Sequence, residues 1–354
     1  MRILALETTC DETAAAVLEG DRLLSNVVFS QIAMHRRYSG VVPELASRAH
    51  LDKIGIVLKA ALLRAGSGRI SNIAFSRGPG LPGALMVGRV AAQAASELLG
   101  APLIGVNHLE GHLLACEYEG KSVKKKLKFP LVALLVSGGH TELWHVSGYG
   151  RYKVLGRTRD DAAGEAFDKV AKLLGLPYPG GPEVEKWAGR SSGMGLEFTR
   201  PLMEGTMDFS FSGLKTAVSY YLAERPGCHF YRKGLPGTLA RSEKVRGLRL
   251  APAQCALVCR AFQDAVVETL VKKTVRAAQT LGLHRIAVGG GVSANRALRA
   301  AFGMLKGVEV RFSEKIYCSD NAAMIALCAM KRLENRASFG SVEISPDLDS
   351  AAWR

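Results

Sequence analysis

The chain has 354 residues, of which 48% are hydrophobic and 22% are charged, and its formal net charge is +15. This length predicts two domains with a large buried core, and no apolar run reaches the roughly 18 residues that a membrane-spanning helix needs. Seven cysteines without a C-x-x-C pair argue against a disulfide framework or a zinc knuckle, and the first residues resemble no secretory or transit segment. We therefore expect a cytoplasmic protein.

The excess of basic residues is the unusual feature of this composition. Basic surface attracts phosphate backbones whatever their sequence, so the charge favours a polyanionic partner. Two clusters carry much of it, the segment KSVKKKLK (121–128) and the stretch from Arg225 to Arg249. We expect the second cluster to be a loop that contacts nucleic acid. A solvated linker and a solvated loop are the alternative interpretations of the two clusters.

The first part of the chain predicts three strands and then alternating helices and strands. Apolar runs predict the three strands over 3–7, 13–19 and 23–30. A helical apolar period that closes on a glycine predicts a helix over 43–66. The elements that follow are a strand over 72–80 leading to a glycine-rich turn, a helix over about 83–99 and a strand over 101–107.

After the lysine-rich segment a similar order begins again. Apolar runs predict strands over 129–139, 140–146 and 151–158. The chain then predicts a long helix over about 253–281, a strand over 284–291, a helix from about 293, a strand over 307–312 and a final helix from about 320. Two lobes that repeat one order predict a mixed α/β fold whose ligand lies in the cleft between them, at the strand ends.

Three separate glycine-rich turns indicate what that cleft holds. They are VSGGHTEL (136–143), AAGEAFDKVAKLLGLPYPGGP (162–182) and AVGGGVSANRAL (287–298). Small residues let backbone N–H groups approach an anion closely, and glycines between a strand and a helix start favour a phosphate or a flat ligand. Purely structural turns are the alternative for each one alone. Together the turns indicate a nucleotide held between the lobes.

The segment NHLEGHLLA (107–115) places His108 and His112 four residues apart. On a helix they lie about 40° apart on one face and can reach one metal ion. A zinc peptidase of the H-E-x-x-H type needs a glutamate directly after the first histidine, whereas Glu110 lies about 200° round the helix. Since Gly111 weakens the helix, two ordinary polar residues stay the alternative on spacing alone.

Nine motifs in this order resemble the universal threonylcarbamoyladenosine transferase family, whose members were once described as O-sialoglycoprotein endopeptidases. The motifs are ETTCDET (7–13), SGVVPELASRAH (39–50), GPGLPGAL (78–85), NHLEGH (107–112), VSGGHTEL (136–143), AAGEAFDKVAKLLGLPYPGGP (162–182), FSFSGLKTAV (209–218), GGGVSANRALR (289–299) and SDNAAMIA (319–326). The resemblance implies the two-lobed ASKHA fold of actin, hexokinase and Hsp70-type ATPases. It implies an N-terminal lobe over 1–126 and a C-terminal lobe over 127–354, with the last helices free to pack back on the first lobe.

The resemblance also implies a metal site. Asp320 of SDNAAM becomes the third ligand beside His108 and His112, and the set suits one Fe²⁺ or Zn²⁺ ion per subunit. Archaeal members have a further tyrosine ligand just before VSGG, where this chain has Leu135. The resemblance therefore implies a coordination position open to water or substrate.

Nucleotide contacts and catalytic candidates carry over in the same way. Glu185 stands where the family has an aspartate, and this longer carboxylate reaches a ribose less directly. Asp11 and Glu12 stand where ASKHA proteins place their first phosphate-facing loop and are the catalytic candidates, with simple turn residues as the alternative. The other implied nucleotide contacts are Leu135, Val136, Ser137, Gly138, Gly139, Asp168, Gly181 and Asn295.

The implied reaction moves the threonylcarbamoyl group of L-threonylcarbamoyl-AMP to N6 of the adenosine just 3′ of the anticodon, in tRNAs that read codons beginning with A. The metal would polarise the carbonyl, and AMP would leave. The implied partners are tRNA, a TsaB-like paralogue and a TsaE-like ATPase. Two other classes stay open on the residues alone, a metallopeptidase using His108 and His112 and an ATP-dependent ASKHA kinase of small molecules. Neither explains the net charge of +15.

Overall fold

The computed structural model describes residues 1–192, 195–201, 205–223, 250–337, 339 and 341–348. The strands, numbered in chain order, are β1 (Arg2–Glu7), β2 (Glu12–Glu19), β3 (Arg22–Ser30), β4 (Asn72–Gly78), β5 (Leu103–Asn107), β6 (Tyr118–Glu119), β7 (Ser122–Val123), β8 (Leu131–Val136), β9 (Thr141–Gly148), β10 (Arg151–Arg157), β11 (Arg285–Gly289) and β12 (Glu309–Phe312). The helices are α1 (Ile32–His35), α2 (Pro43–Ala65), α3 (Pro82–Leu99), α4 (His108–Leu114), α5 (Ala163–Leu173), α6 (Gly180–Ala188), α7 (Ser212–Ala223), α8 (Pro252–Thr280), α9 (Arg296–Gly303) and α10 (Ala322–Glu334).

The strands form two mixed sheets that share one topology. The first sheet has the order β5-β4-β1-β2-β3-β7-β6, and the second has the order β12-β11-β8-β9-β10. In each, three consecutive antiparallel strands are extended by two parallel strands beside the first of them. The predicted repeat of one supersecondary order is therefore confirmed, and the carboxyl ends of the parallel strands mark where a ligand binds.

Local sequence explains where the outer helices begin and end. Both α2 and α3 begin with a proline, whose missing N–H costs nothing in the first turn. They end at Gly66 and Gly100, which adopt positive φ angles of 71° and 60°. Apolar side chains of both helices pack on the first sheet in one hydrophobic cluster. A second cluster joins α5, α6, α7, α8 and α9 to the second sheet.

The last helix, α10, lies at the centre of the molecule. All its residues from Ala322 to Arg332 are buried, as expected of a helix that is covered on every side. Its apolar side chains belong to a third cluster that includes Ile3 of β1 and Trp144 of β9, so it contacts both sheets. The division of the chain between residues 126 and 127 stays a prediction.

The predicted elements are confirmed, with small differences at their ends. The predicted strand over 72–80 ends at Gly78, because Pro79 has no N–H for the ladder. The helix expected from about 293 is a short 3-10 turn over Gly291–Ala294 followed by α9. The basic stretch from Arg225 to Arg249 lies outside the described residues. Among the described residues, none of the helices combines the length and the apolar character that crossing a membrane requires.

A buried ion pair connects α10 to α4. The Arg332 guanidinium donates to Glu110 Oε2 from Nε at 2.7 Å, and both side chains are about 1% exposed. The Tyr152 hydroxyl donates to Glu110 Oε1 at 2.6 Å. Glu110 therefore points away from the face that carries the histidines, as its position on the helix predicts.

We predict that Arg332→Ala lowers the free energy of unfolding by about 3–5 kcal/mol, because it leaves an uncompensated buried carboxylate. Urea denaturation followed by circular dichroism measures the change. The double variant Glu110→Gln with Arg332→Met removes both charges and keeps an acceptor for Tyr152, so it should recover most of the loss. A double variant as unstable as Arg332→Ala would contradict this account.

Candidate metal centre and nucleotide cleft

The two histidines lie on α4, a short helix whose first turn is capped by the residue before it. Asn107 at the end of β5 caps α4, and its Oδ1 accepts hydrogen bonds from the N–H groups of Leu109 at 2.8 Å and Glu110 at 3.2 Å. His108 and His112 are both buried, and their ring centroids lie 4.6 Å apart. The predicted placement of the two rings on one face is thus confirmed.

Asp320 approaches the same point from the beginning of α10. Its Oδ1 lies 3.1 Å from His112 Nε2 and 3.5 Å from His108 Nε2. One ligand atom from each of the three residues lies within 4.8 Å of the others. The Asp320 side chain is 18% exposed, so the group faces the cleft on one side. Two imidazole nitrogens and one carboxylate oxygen at this separation fit iron(II) or zinc.

Glu7, at the end of β1, orients the first histidine. Its Oε2 lies 2.9 Å from His108 Nδ1 and also accepts from the Ser76 hydroxyl, while its Oε1 accepts from the Thr9 N–H at 2.6 Å. Since Glu7 is ionised and accepts from its neighbours, His108 Nδ1 carries a proton that faces Glu7, and Nε2 is turned toward Asp320. We did not assign Glu7 a role from the sequence, although a glutamate at the end of an apolar strand is the available signal.

The electrostatics of the group favour a positive charge between the two carboxylates. Burial alone would lower the pKa of His108, but the carboxylates of Glu7 and Asp320 outweigh it and raise that pKa to about 10. His140, in the SGGH turn, shows the opposite effect. Burial lowers its pKa first, and the charges of His108 and His112 help to bring it to about 4. A bound metal ion would supply the charge that His108 otherwise carries.

Asp11 lies at the end of the turn that follows β1, and Glu12 is the first residue of β2. Both are about 8% exposed, and Glu12 Oε1 accepts from the Ser30 hydroxyl at 3.2 Å. Burial, followed by the charges of Asp11 and Asp320, raises the pKa of Glu12 to about 10, which favours its protonated form. Burial and the charges of Asp11 and Asp168 also raise the pKa of Tyr178.

The SGG turn presents open backbone to the cleft. The N–H of Ser137 donates to the His140 carbonyl at 2.8 Å, which closes the turn. A Cβ added to Gly138 or Gly139 would meet nothing within 4 Å, so a ligand can approach their backbone. Leu135 and Val136 have buried side chains in β8, so they offer only backbone.

The second glycine turn is held by Asp168. Its Oδ1 accepts from the Gly180 N–H at 2.6 Å at the start of α6, and burial is the main cause that raises its pKa to about 6. Gly180 is tightly packed, since a Cβ there would lie 2.7 Å from the Asp168 Cα. Gly181 is open, because a Cβ there would meet nothing within 4 Å. Gly181 is therefore the residue of the pair that can face a ligand.

The third turn brings Asn295 and Glu185 to one place. Asn295 caps α9 by accepting from the Leu298 N–H at 3.0 Å, and its amide donates to Gln263 Oε1 at 3.0 Å. Glu185 Oε1 accepts from both the N–H and the Nε of Arg296, at 3.1 and 2.7 Å. The sequence did not indicate Gln263 or Arg296. Glu185 therefore already has a cationic partner.

Comparison with known proteins identifies the family. The family model described as "TsaD: tRNA N6-adenosine threonylcarbamoyltransferase" matches residues 22–327. The chain belongs to this family. A protein named tRNA N6-adenosine threonylcarbamoyltransferase from Endomicrobium trichonymphae is 44% identical over 367 residues, which cover 100% of both chains. The relative of the same name from Geotalea uraniireducens (strain Rf4) is 46% identical over 364 residues, covering 100% of this chain and 98% of the relative.

Solved structures support the fold class. HypF from T. kodakarensis superposes with a TM-score of 0.61 at 14% identity, covering 94% of this chain and 48% of HypF. Full-length HypF in a phosphate- and nucleotide-bound form gives a TM-score of 0.58 at 15% identity, covering 97% of this chain and 47% of HypF. The chain thus spans about half the length of HypF. Together with the two sheets of like topology, this likeness confirms the two-lobed ASKHA fold of this TsaD family member.

We predict that Glu7→Ala weakens metal binding about 10- to 100-fold, the usual effect of losing a carboxylate that orients a histidine ligand. Isothermal calorimetry with Zn²⁺ measures it. Glu117→Gln is the control, because Glu117 is equally buried but bonds Tyr149 and the Leu127 N–H. Equal zinc affinity in Glu7→Ala and the wild type would remove Glu7 from the centre.

We predict that Gly181→Val weakens adenylate binding about ten-fold or more, because filling a close contact costs about 1–3 kcal/mol. Calorimetry with AMP measures the change. Gly213→Val is the matched control, since Gly213 is also the second residue of a helix and a Cβ there also meets nothing within 4 Å. Unchanged AMP affinity in Gly181→Val would exclude Gly181 from the nucleotide site.

Proposed function

We propose that the chain transfers the threonylcarbamoyl group of L-threonylcarbamoyl-AMP to N6 of the adenosine just 3′ of the anticodon, in tRNAs that read codons beginning with A. The observation that carries this proposal is the full-length match to relatives named tRNA N6-adenosine threonylcarbamoyltransferase. The convergence of His108, His112 and Asp320 on one point of the cleft supports it. The net charge of +15 suits a tRNA substrate.

The proposed metal is Fe²⁺ or Zn²⁺, one ion per subunit, held by His108, His112 and Asp320. When bound, it supplies a Lewis acid that polarises the carbonyl of the threonylcarbamoyl group. The exocyclic amine of adenosine is a poor nucleophile, so much of the rate must come from holding it against that carbonyl. Leu135 adds no ligand atom from its side chain, which leaves room at the centre for substrate.

The adenylate would lie along the three glycine turns. In this proposal the backbone of Val136, Ser137, Gly138 and Gly139 contacts its phosphate. Gly181 leaves room for the rest of the nucleotide. The other proposed contacts of the adenylate are Asp168, Glu185, Asn295 and, behind the turn, Leu135.

Asp11 and Glu12 are the proposed catalytic pair. Burial raises the pKa of Glu12, which favours a protonated carboxyl that can donate a hydrogen bond to the departing phosphate of AMP. Asp11 lies beside it and can accept the proton that N6 loses as the new C–N bond forms. The step balances, since one N–H proton is transferred and AMP leaves with the electron pair of the broken C–O bond.

The alternative classes gain no support from the site. A peptidase of the zinc type needs a free glutamate beside the metal, and Glu110 is bound by Arg332 and Tyr152. The relatives do not bear the name of a small-molecule kinase. Family membership therefore favours acyl transfer to tRNA over both.

A TsaB-like paralogue and a TsaE-like ATPase are the proposed protein partners. Helices α2 and α3 expose several large apolar side chains, which a protein partner could cover. The most exposed are Leu51, Ile56, Leu63, Val90 and Leu98. We propose this face for the paralogue and the cytoplasm as the compartment where tRNA is modified.

The test of the proposed function is mass spectrometry of tRNA nucleosides. Unmodified tRNA is mixed with the protein, a TsaB-like and a TsaE-like partner, a threonylcarbamoyl-AMP synthase, threonine, bicarbonate and ATP. Threonylcarbamoyladenosine should form only when the protein is present. A complete mixture that yields no modified nucleoside, with each partner shown to be active, would refute the proposal.

We predict that His108→Ala, His112→Ala and Asp320→Ala each lose bound metal and abolish the modified nucleoside, because the three side chains share one ion. Elemental analysis and nucleoside mass spectrometry measure the two losses. His145→Ala is the control, since His145 is a half-buried histidine of β9 outside the cluster. Full metal content in all three variants would show that the ligand assignment is wrong.

A further inference from the structure

A second groove runs beside the proposed nucleotide site, between α6, α8 and α9. Its volume is about 930 Å³. Two of its lining residues, Gln263 and Arg296, bond Asn295 and Glu185 of the proposed nucleotide site. The lining also includes Lys272, on α8. The groove therefore borders the place where the adenylate would lie.

The lining of this groove has more basic than acidic side chains. Three acidic side chains line it, Glu185, Asp264 and Glu268. Six basic side chains also line it, namely Lys186, Arg190, Arg200, Arg260, Lys272 and Arg296. The basic excess makes the groove a favourable path for a polyanion.

Four of the six basic side chains pair with acids that also line the groove, but three acids leave an excess of basic charge. Arg200 pairs with Glu268 at 2.6 Å and Arg296 with Glu185 at 2.7 Å. Arg260 pairs with Asp264 at 2.7 Å and Lys272 with Glu268 at 2.5 Å, each one helical turn apart. Their basic side chains are 39% and 55% exposed, and surface pairs of this kind contribute little. A phosphate of a bound nucleic acid can therefore contact these cations with little loss of free energy from the ion pairs. Lys186 is 60% exposed and lies 3.8 Å from its partner, Glu183.

The length of the groove along α8 and the small residues of α9 suit a nucleic-acid backbone. Arg260 and Lys272 lie on one face of α8 about 18 Å apart along the helix axis, the length of several successive phosphates, with Asp264 and Glu268 between them. Small residues of α9, Ala297, Ala300 and Ala301, line the opposite wall and leave it shallow. A sugar–phosphate chain can lie against such a wall, whereas a small ligand would find few groups that surround it.

We propose that this groove carries the phosphate backbone of the tRNA stem next to the anticodon loop, while the target adenosine enters the adjoining metal cleft. This inference rests on the proposed function, because it takes tRNA as the substrate. It adds a binding surface, formed by Lys186, Arg260 and Lys272, that lies outside the metal centre and the glycine turns. The contacts are to phosphate, so they fix position and do not read base sequence.

The test measures the binding of unmodified tRNA across a series of salt concentrations. The triple variant Lys186→Gln, Arg260→Gln, Lys272→Gln should bind about ten-fold more weakly or worse, and its log–log salt slope should fall by roughly two to three units. The control triple variant Arg69→Gln, Lys153→Gln, Lys315→Gln removes the same charge from exposed residues outside the groove and should leave the slope nearly unchanged. AMP affinity and metal content should match the wild type in both.

Asp264→Asn provides a test in the opposite direction. It removes one acid from the groove and releases Arg260, so tRNA should bind more tightly and with a steeper salt dependence. Groove variants whose affinity and slope equal those of the wild type would overturn the inference. The same result with loss of a protein partner in pull-down would also overturn it and would assign the groove to an acidic protein. If the wild type modifies tRNA in either case, the proposed function stands while the groove assignment fails.

Discussion

The close contact between α4 and α10 is the constraint on which the rest of the site depends. A Cβ added to Gly111 would lie 3.0 Å from the Ile325 side chain and 3.2 Å from that of Met324, so a larger residue would have to push these side chains aside. The buried pair of Glu110 and Arg332 fixes the rotation of α4 against α10. His112 and Asp320, 208 positions apart in sequence, can therefore bring their atoms to 3.1 Å.

The same contact couples the two sheets. A Cβ at Gly289, the last residue of β11, would lie 2.4 Å from the His112 carbonyl, so the second lobe touches the histidine helix directly. Both glycines belong to motifs that also present functional groups, GGGVSANRALR and NHLEGH. Glycine in these segments thus has two different physical roles. Gly111 and Gly289 permit close packing, whereas Gly138 and Gly181 leave space for a ligand.

Local patterns were sufficient to predict most of the fold and part of the site. Periodicity gave the strands and helices, and helical geometry alone predicted that Glu110 points away from the two histidines. The metal group needed the family resemblance, because nothing local links Asp320 to α4. Glu7 was missed for the same reason, since its contact with His108 spans 101 positions. The hydrogen bond from Arg296 to Glu185 spans 111 positions, so local periodicity does not predict it either.

The central claim is that His108, His112 and Asp320 hold one metal ion in the cleft that performs the acyl transfer. X-ray absorption spectroscopy at the metal edge of the purified protein tests it most directly. The account predicts one ion per chain, with two imidazoles and a carboxylate oxygen at about 2.0–2.2 Å. Sulfur scattering from a cysteine, or fewer than two imidazoles, would contradict it.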